Sequence, residues 1–338
     1  MKLYCGIDLH SNNSVVAVLD EYDQVVYQER LANDLEFIIQ ELSSYKGRLQ
    51  GIVVESTYNW YWLVDGLMEA GFVVHLANTA AIRQYEGLKY SDDNHDARWL
   101  AHMLRLGILQ VGYIYPKEGR ALRDLLRKRS QMVRQRTAQI LSIQNQYARN
   151  SAKRITANQV RKMTVADIDE DVGEFHLSLA IKSNLAVFES IEQQVKQLEK
   201  EALKCLLPNP QFVGLKSTPG IGKILAMTIL LETGDIGRFA SAGNYASYCR
   251  CVGSKRTSNG KKKGEGNRKN GNKYLAWAFM EAANFAVRFD DQIRRFHQRK
   301  RARTNGIVAT KTVAHKLARA CYYILKDGIP FDVAKAFG

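Results

Sequence analysis

Apolar positions at the start of the chain fall into three short runs, Leu3 to Leu9, Ser14 to Asp20 and Gln24 to Arg30. The turn-forming stretches Ser11-Asn12-Asn13 and Glu21-Tyr22-Asp23 separate them, so the pattern predicts three strands joined by two short hairpins. Helical spacing follows from Asp34 to Tyr45. Next come an apolar strand at Gly51 to Glu55, a helix over Tyr58 to Ala70, a strand at Phe72 to Ala77 and a helix over Asn94 to Leu106. The order βββαβαβα predicts a mixed sheet flanked by helices.

Beyond residue 115 the period changes. No proline interrupts a helical pattern from Glu118 to Asn150, and Leu126, Val133, Ile140 and Tyr147 recur at sevens. In a second run Leu177, Ile181, Asn184, Phe188, Ile191, Val195, Leu198, Ala202 and Cys205 alternate four-three spacing, which predicts a central antiparallel coiled coil with one polar seam position. Whether its helices pair within one chain or between chains stays open. The polar residues 151 to 171 turn the chain around or remain mobile. Pro208-Asn209-Pro210 ends the section, because proline removes a helix donor and biases its predecessor away from the helical region. The expected organisation is residues 1–115, 116–207 and 208–338, the last mostly helical.

Charge separates these parts. The chain carries 49 Lys+Arg and 34 Asp+Glu, net +15. Residues 1–115 hold 8 and 15, net −7, whereas residues 116–338 hold 41 and 19, net +22. An acidic portion suits hard cations and a basic one suits phosphates. Such an excess is unusual for a small-metabolite enzyme and ordinary for a protein that handles a polyanion, so nucleic acid is the expected partner. Five scattered cysteines without a C-x-x-C pair indicate neither a disulfide framework nor a zinc site. With no signal peptide or long apolar run, the expectation is a soluble cytoplasmic protein without a membrane partner.

Thr218-Pro219-Gly220-Ile221-Gly222-Lys223, before the apolar helix Ile224 to Glu232, forms a helix-hairpin-helix-like motif. Its glycines, Gly220 and Gly222, would let backbone N–H groups approach a DNA phosphate beside Lys223; a plain glycine helix-start turn is the competing reading. Residues 254–273 contain eight Lys+Arg (Lys255, Arg256, Lys261, Lys262, Lys263, Arg268, Lys269, Lys273) against one Glu, a composition expected to form a mobile loop until a polyanion orders it. Arg288 to Arg303 adds seven more, beyond an apolar helix near Tyr274 to Val287.

In the first strand Leu3, Cys5, Ile7 and Leu9 alternate with Tyr4, Gly6, Asp8 and His10, which sets Asp8 on the face away from the aliphatic set. Glu55 ends a later apolar strand and converges with Asp8 if the strands are neighbours. Asp93 and Asp96, three apart at a helix start, share a helical face. Each acid also has an ordinary use, as a turn or helix cap or an exposed strand end. Together they form a cluster that needs compensating charge, which magnesium supplies through oxygen-only ligation; a pair of such ions about 3.5–4 Å apart suits phosphodiester chemistry.

This order, with carboxylates at those points, resembles the ribonuclease-H-like nucleases, specifically RuvC-type Holliday-junction resolvases. The resemblance narrows with Gly6-Ile7-Asp8, Val54-Glu55-Ser56-Thr57, Glu86-Gly87-Leu88-Lys89, Asp93-Asn94-His95-Asp96-Ala97-Arg98, Pro219-Gly220-Ile221-Gly222, Gly237-Arg238-Phe239 and the Ser-Asn-Gly-Lys basic loop. Over nearly the whole chain, these motifs in this order resemble the DEDD transposases of the one-ten and eleven-eleven insertion-sequence groups, relatives of the pilin-gene invertases. That resemblance implies magnesium on Asp8, Glu55, Asp93 and Asp96, and a serine, here Ser258, that attacks the DNA phosphate to form a covalent phosphoserine link. It also implies a structured noncoding RNA from the element that pairs with donor and target DNA. Finally, it implies a homo-oligomer, a dimer assembling to a tetramer, whose active sites join the acidic part of one protomer to the serine part of another.

The family often has a proline shortly before the serine loop and a glycine directly after the serine, where this chain has Val252-Gly253-Ser254 and Asn259. Thr257 and Ser254 therefore stay open as nucleophiles, and Asp92 adjoins Asp93. Two other enzyme readings stand beside the recombinase. One is a hydrolytic junction resolvase. The other is a sugar-kinase or actin-like ATPase, suggested by Gly6 to Ser11 and Val18 to Val26, though no second phosphate loop or adenosine pocket accompanies them in the acidic portion.

Overall fold

The computed structural model describes residues 1–82, 92–254, 256–264 and 270–338, with Arg256 and Lys262 described in their backbone only. The Glu86–Lys89 motif, Lys255, Arg268 and Lys269 lie outside the described residues. The chain divides into two compact units: residues 1–117 with 255–270, and residues 118–254 with 271–338.

The first unit is built on a six-stranded mixed sheet. Strands β1 (Leu3–Leu9), β2 (Asn13–Asp20) and β3 (Val25–Ala32) form an antiparallel meander. Helix α1 (Leu35–Ser43), strand β4 (Leu49–Glu55), helix α2 (Tyr61–Glu69) and strand β5 (Val74–Ala77) follow. Parallel pairing sets β4 beside β1 and β5 beside β4, and a two-residue strand β6 (Val111–Gly112) closes the order β3-β2-β1-β4-β5-β6. Asp34 caps α1 by accepting from the Phe37 N–H.

The predicted alternation in β1 understates its burial. Leu3, Cys5, Ile7 and Leu9 pack with Ile38 and Leu42 of α1 and Leu63 and Leu67 of α2. The opposite face, where Gly6 and Asp8 point, is covered by helix α3 (Asp93–Arg105). Gly6 makes that cover close: a Cβ there would lie 2.0 Å from the Ala97 carbonyl oxygen and 2.7 Å from the Ala101 nitrogen. A helix backbone thus rests directly on the central strand.

The second unit is helical. Helix α4 (Lys117–Ser151), which begins at the last residue of the first unit, runs antiparallel to α7 (Phe175–Leu206), with ion pairs Arg129–Glu199 and Arg136–Glu192 along the seam. Ile140, Ile143 and Tyr147 meet Ile181, Leu185 and Phe188 near its far end, so this pairing lies within one chain. Between them the expected polar turn forms two short helices, α5 (Ala157–Val160) and α6 (Val165–Asp171). Reciprocal capping boxes, Thr156 with Gln159 and Thr164 with Asp167, start both.

The remaining helices are α8 (Pro210–Lys216), α9 (Lys223–Thr233), α10 (Ala242–Tyr248), α11 (Lys273–Phe289), α12 (Asp291–Arg303), α13 (Gly306–Asp327) and α14 (Val333–Phe337). They share a core in which Tyr245, Phe212 and Phe279 are fully buried. No helix among the described residues is long and apolar enough to cross a membrane.

Within the basic segment, the expectation of a structureless loop is corrected for residues 256–264. Arg256–Ser258 (β7) and Lys261–Gly264 (β8) pair antiparallel, with Ser258 opposite Lys261. Asn259 and Gly260 adopt φ of 50° and 71°, the left-handed pair that a two-residue hairpin turn requires. Backbone pairing, indifferent to side-chain charge, explains order in so basic a stretch.

Candidate active site

The acids gather where β1 and β4 end and α3 begins. Ile7 pairs with Val54 in the parallel register, so Asp8 and Glu55 leave adjacent strands at neighbouring positions. Asp8 is buried, 3% exposed, and is hydrogen-bonded to the half-buried Glu55. Burial, the shared hydrogen bond and the charges of Asp8 and Asp96 push the Glu55 carboxyl up to about 8. That shift places Asp8, Glu55 and Asp96 in one electrostatic neighbourhood.

Asp93 joins from the first turn of α3. Its Oδ2 lies 2.6 Å from Arg30 Nη2, and this bond holds the Asp93 carboxyl below its usual range. Asp92 is spent differently: its side chain accepts from the His95 N–H and caps α3. The geometry therefore separates the two adjacent aspartates, one closing the helix end and the other turned toward β1.

His10 bridges the group. Its Nε2 lies 3.3 Å from Asp8 Oδ2 and 3.4 Å from Asp93 Oδ2, and the three residues offer ligand atoms all within 4.8 Å of one another. That nitrogen is buried without a well-aligned hydrogen-bond partner. The His10 carbonyl is fixed by amide donors from Asn59 at 2.9 Å and Asn33 at 3.1 Å. Asn33 in turn accepts from the Ser14 hydroxyl. Arg30 also reaches Asn13 through Nη1, so one guanidinium ties the β1–β2 turn to α3.

His10, Arg30, Asn33 and Asn59 escape the sequence reading. His10 had a signal, since it stands two residues after Asp8 and so on the same strand face. Arg30 had none, because its partner is 63 residues away.

Of the candidates in the basic segment, Lys261, Lys263 and the hydroxyl residues Ser258 and Thr257 are exposed on the hairpin, and Lys273 is exposed at the start of α11. Ser254 is exposed just before the hairpin, in the second unit. Gly222 and Lys223 are exposed at the start of α9. Gly220, at φ 82°, instead meets α11: a Cβ there would lie 2.2 Å from the Ala282 carbonyl oxygen. Its permissiveness serves helix packing inside the protein.

Comparison with known families places the acidic cluster and the hairpin in separate matches. Residues 5–147 match the IS110-type DEDD transposase model, and residues 214–298 match the model described as Transposase IS116/IS110/IS902 family. These two regions define a transposase, the class of enzyme that cuts and rejoins DNA. The chain belongs to the IS116/IS110/IS902 transposase family.

Among relatives, a probable family 20 transposase of Pseudomonas aeruginosa is 23% identical over 279 residues, covering 78% of this chain and 80% of that protein. An insertion element IS110 uncharacterized 43.6 kDa protein of Streptomyces coelicolor is 26% identical over 157 residues. That alignment spans 46% of this chain and 39% of the Streptomyces protein.

Proposed function

We propose that the chain is an RNA-guided DNA transposase of an insertion sequence, which cuts and rejoins DNA through a covalent phosphoserine at Ser258. One observation carries the reading: four carboxylates from β1, β4 and α3 converge in a chain whose basic hairpin exposes a serine. The strand order and the helix over β1 support an RNase-H-like fold for the first part, and the boundaries 1–115, 116–207 and 208–338 serve as working divisions into catalytic, spacer and serine-bearing parts.

The donor set fits a divalent cation. Asp8 is buried, burial and acidic neighbours raise the Glu55 carboxyl to about 8, and His10 Nε2 lacks an aligned partner, as expected of ligands whose natural counter-charge is a metal. Asp8, Glu55, Asp93 and Asp96 would hold magnesium, with His10 beside them. Bound there, the cation would offset phosphate charge and make a hydroxyl easier to deprotonate.

The protein's own groups account for the rest. Ser258 Oγ attacks phosphorus, a serine–phosphate bond forms, the bond to one sugar oxygen breaks, and the proton lost by serine is balanced by one gained on the leaving hydroxyl. The phosphoester energy stays stored for attack by a new strand end, which releases the serine. Exposed Lys261 and Lys263 on β8 suit the backbone phosphates. The net +22 of residues 116–338 supports binding of DNA and of an element-encoded RNA, whose base pairing would choose the sequence. Assembly from dimer to tetramer belongs to the same reading.

Purified protein incubated with magnesium, RNA from its own element and end-labelled nicked-junction DNA, then denatured in detergent, is expected to carry label covalently. Ser258→Ala and Asp8→Asn should each abolish the adduct. Cleavage that persists in Ser258→Ala without any adduct would make the protein a metal-dependent resolvase instead.

A further inference from the structure

The helical unit contains a cavity of about 640 Å³ between α13 and the segment leading into α14. It lies beyond residue 298, where the second family match ends, and the proposed chemistry leaves it without a task. Its wall is of two kinds. Tyr323 and Phe331 give it aromatic surface, and His315, Lys316, Arg319 and Lys335 give it basic groups.

These basic groups are not equivalent. Lys316 is committed to the fold: its Nζ donates to the Ala336 carbonyl at 2.7 Å and lies over the rings of Phe296 and Phe337. It holds α14 against α12 and so shapes the cavity. Arg319 and Lys335 are exposed and form no ion pair with a described residue. The one carboxylate in the wall, Asp332, accepts from the Lys335 N–H and caps α14. Burial, with Arg319 and Lys316 nearby, holds His315 below its usual range, so its ring is a neutral hydrogen-bonding group. The cavity therefore carries uncompensated positive charge beside aromatic rings, one of which, Tyr323, is braced edge-on by Tyr322 at 5.3 Å.

We propose that this cavity binds a single nucleotide of a nucleic-acid strand, with its base against Tyr323 and Phe331 and its phosphate against Arg319 and Lys335. The volume falls in the range of small-ligand pockets, roughly 300–1,000 Å³. Guanidinium and ammonium groups are the ordinary partners of a phosphate, and an aromatic ring is a sequence-tolerant platform for a base. Only an unpaired nucleotide presents both at once, because a duplex hides its base faces in the stack. The inference rests on the reading that the chain handles nucleic acid, and adds a contact for a single strand.

The test uses the full-length protein and fluorescein-labelled short oligonucleotides: single-stranded RNA, single-stranded DNA and blunt duplex DNA. Tyr323→Ala and Arg319→Ala are each expected to weaken single-strand binding about tenfold. Tyr323→Phe, which keeps the ring, should retain it. Arg319→Ala should also lower the salt slope by about one, with duplex affinity unchanged. A loss confined to the RNA arm or the DNA arm identifies which strand supplies the nucleotide. Photocross-linking of 4-thio-substituted strands should map to peptides containing Tyr323 or Phe331. Unchanged affinities with cross-links only on the β7–β8 hairpin or α12 overturn the cavity and leave nucleic-acid handling standing. Equal losses for duplex and single strand also overturn it, since they mark Arg319 as diffuse charge. Failure of the wild-type protein to bind any strand would remove the underlying reading as well.

Discussion

Arg127 of α4 clasps Glu232 of α9 through two parallel bonds, Nε to Oε1 at 2.6 Å and Nη2 to Oε2 at 2.7 Å. Glu232 is 5% exposed, and its Oε2 also accepts from Asn272, the residue that caps α11 just after the basic hairpin. One carboxylate thus joins the long helix, the helix after the glycine turn and the helix that receives the chain from the hairpin.

Removing the guanidinium would leave a buried carboxylate with one donor. Breaking such a pair from one side costs about 3–5 kcal/mol. Arg127→Ala should therefore lower unfolding free energy by about 3 kcal/mol or more. Urea denaturation checks this, and a loss below about 1 kcal/mol would show that the pair is solvated like a surface bridge.

The carboxylate cluster sets a pH dependence. Glu55 moves from an ordinary 4.5 to about 8 in the fold. A carboxyl raised in this way favours folding below its unfolded value, and that contribution is lost as pH rises through the folded one. With divalent cations chelated, the melting temperature should fall between those two pH values. Saturating magnesium should remove the fall, and Glu55→Gln should flatten it. Melting curves with the same slope in wild type and Glu55→Gln would dissociate Glu55 from the effect.

Gly6 fixes how near α3 comes to β1. Gly6→Ala would drive a methyl group toward the Ala97 carbonyl and lift the helix that carries Asp93 and Asp96. Overpacking of this kind costs about 1–3 kcal/mol. The expected result is a modest drop in melting temperature with a much larger loss of DNA cleavage. Cleavage that declines only in step with stability would show that the carboxylates tolerate the shift.

Ser258 depends on the turn that follows it. Replacing Gly260 with valine puts a branched side chain at φ 71°, which only glycine and a few polar residues adopt readily. Adduct formation should fall at least tenfold while thermal stability of the remainder stays within about 1 kcal/mol, a small loss for a surface change. A full yield of adduct from Gly260→Val would mean that the hairpin geometry is dispensable.

The sheet was legible because the strands of the meander are short apolar runs and each turn carries Asn, Asp or Ser. The convergence of Asp8 with Glu55 could be anticipated from two strand ends, but not the role of Arg30, since a contact across 63 residues leaves no local trace. Strand β6 has two residues, too few for any period. Helices α5 and α6 are short, and their capping boxes, Thr156 to Gln159 and Thr164 to Asp167, were the available sign. In the basic segment, composition outweighed the adjacent Asn259-Gly260, which is the stronger predictor because it specifies backbone angles. The glycines of the Gly220 motif looked alike in sequence, and only the packing of α11 separates Gly220 from the exposed Gly222.

Where the chain leaves the helical unit and where it returns, its two ends are fastened to each other. Arg250 Nη2 donates to the Gly271 carbonyl at 2.9 Å, and the Asn272 N–H donates to the Tyr248 carbonyl at 2.7 Å. Cys249 and Cys251, just inside those fastenings, are buried in the helical core, so the part that the helices do not hold begins only at the exposed Val252. Doubling the length of a loop held at both ends adds only about 0.6 kcal/mol of closure cost. Lineages are free to lengthen, recharge or exchange the stretch beyond Val252 at little cost to folding, and an engineer could graft a new one between Val252 and Asn270.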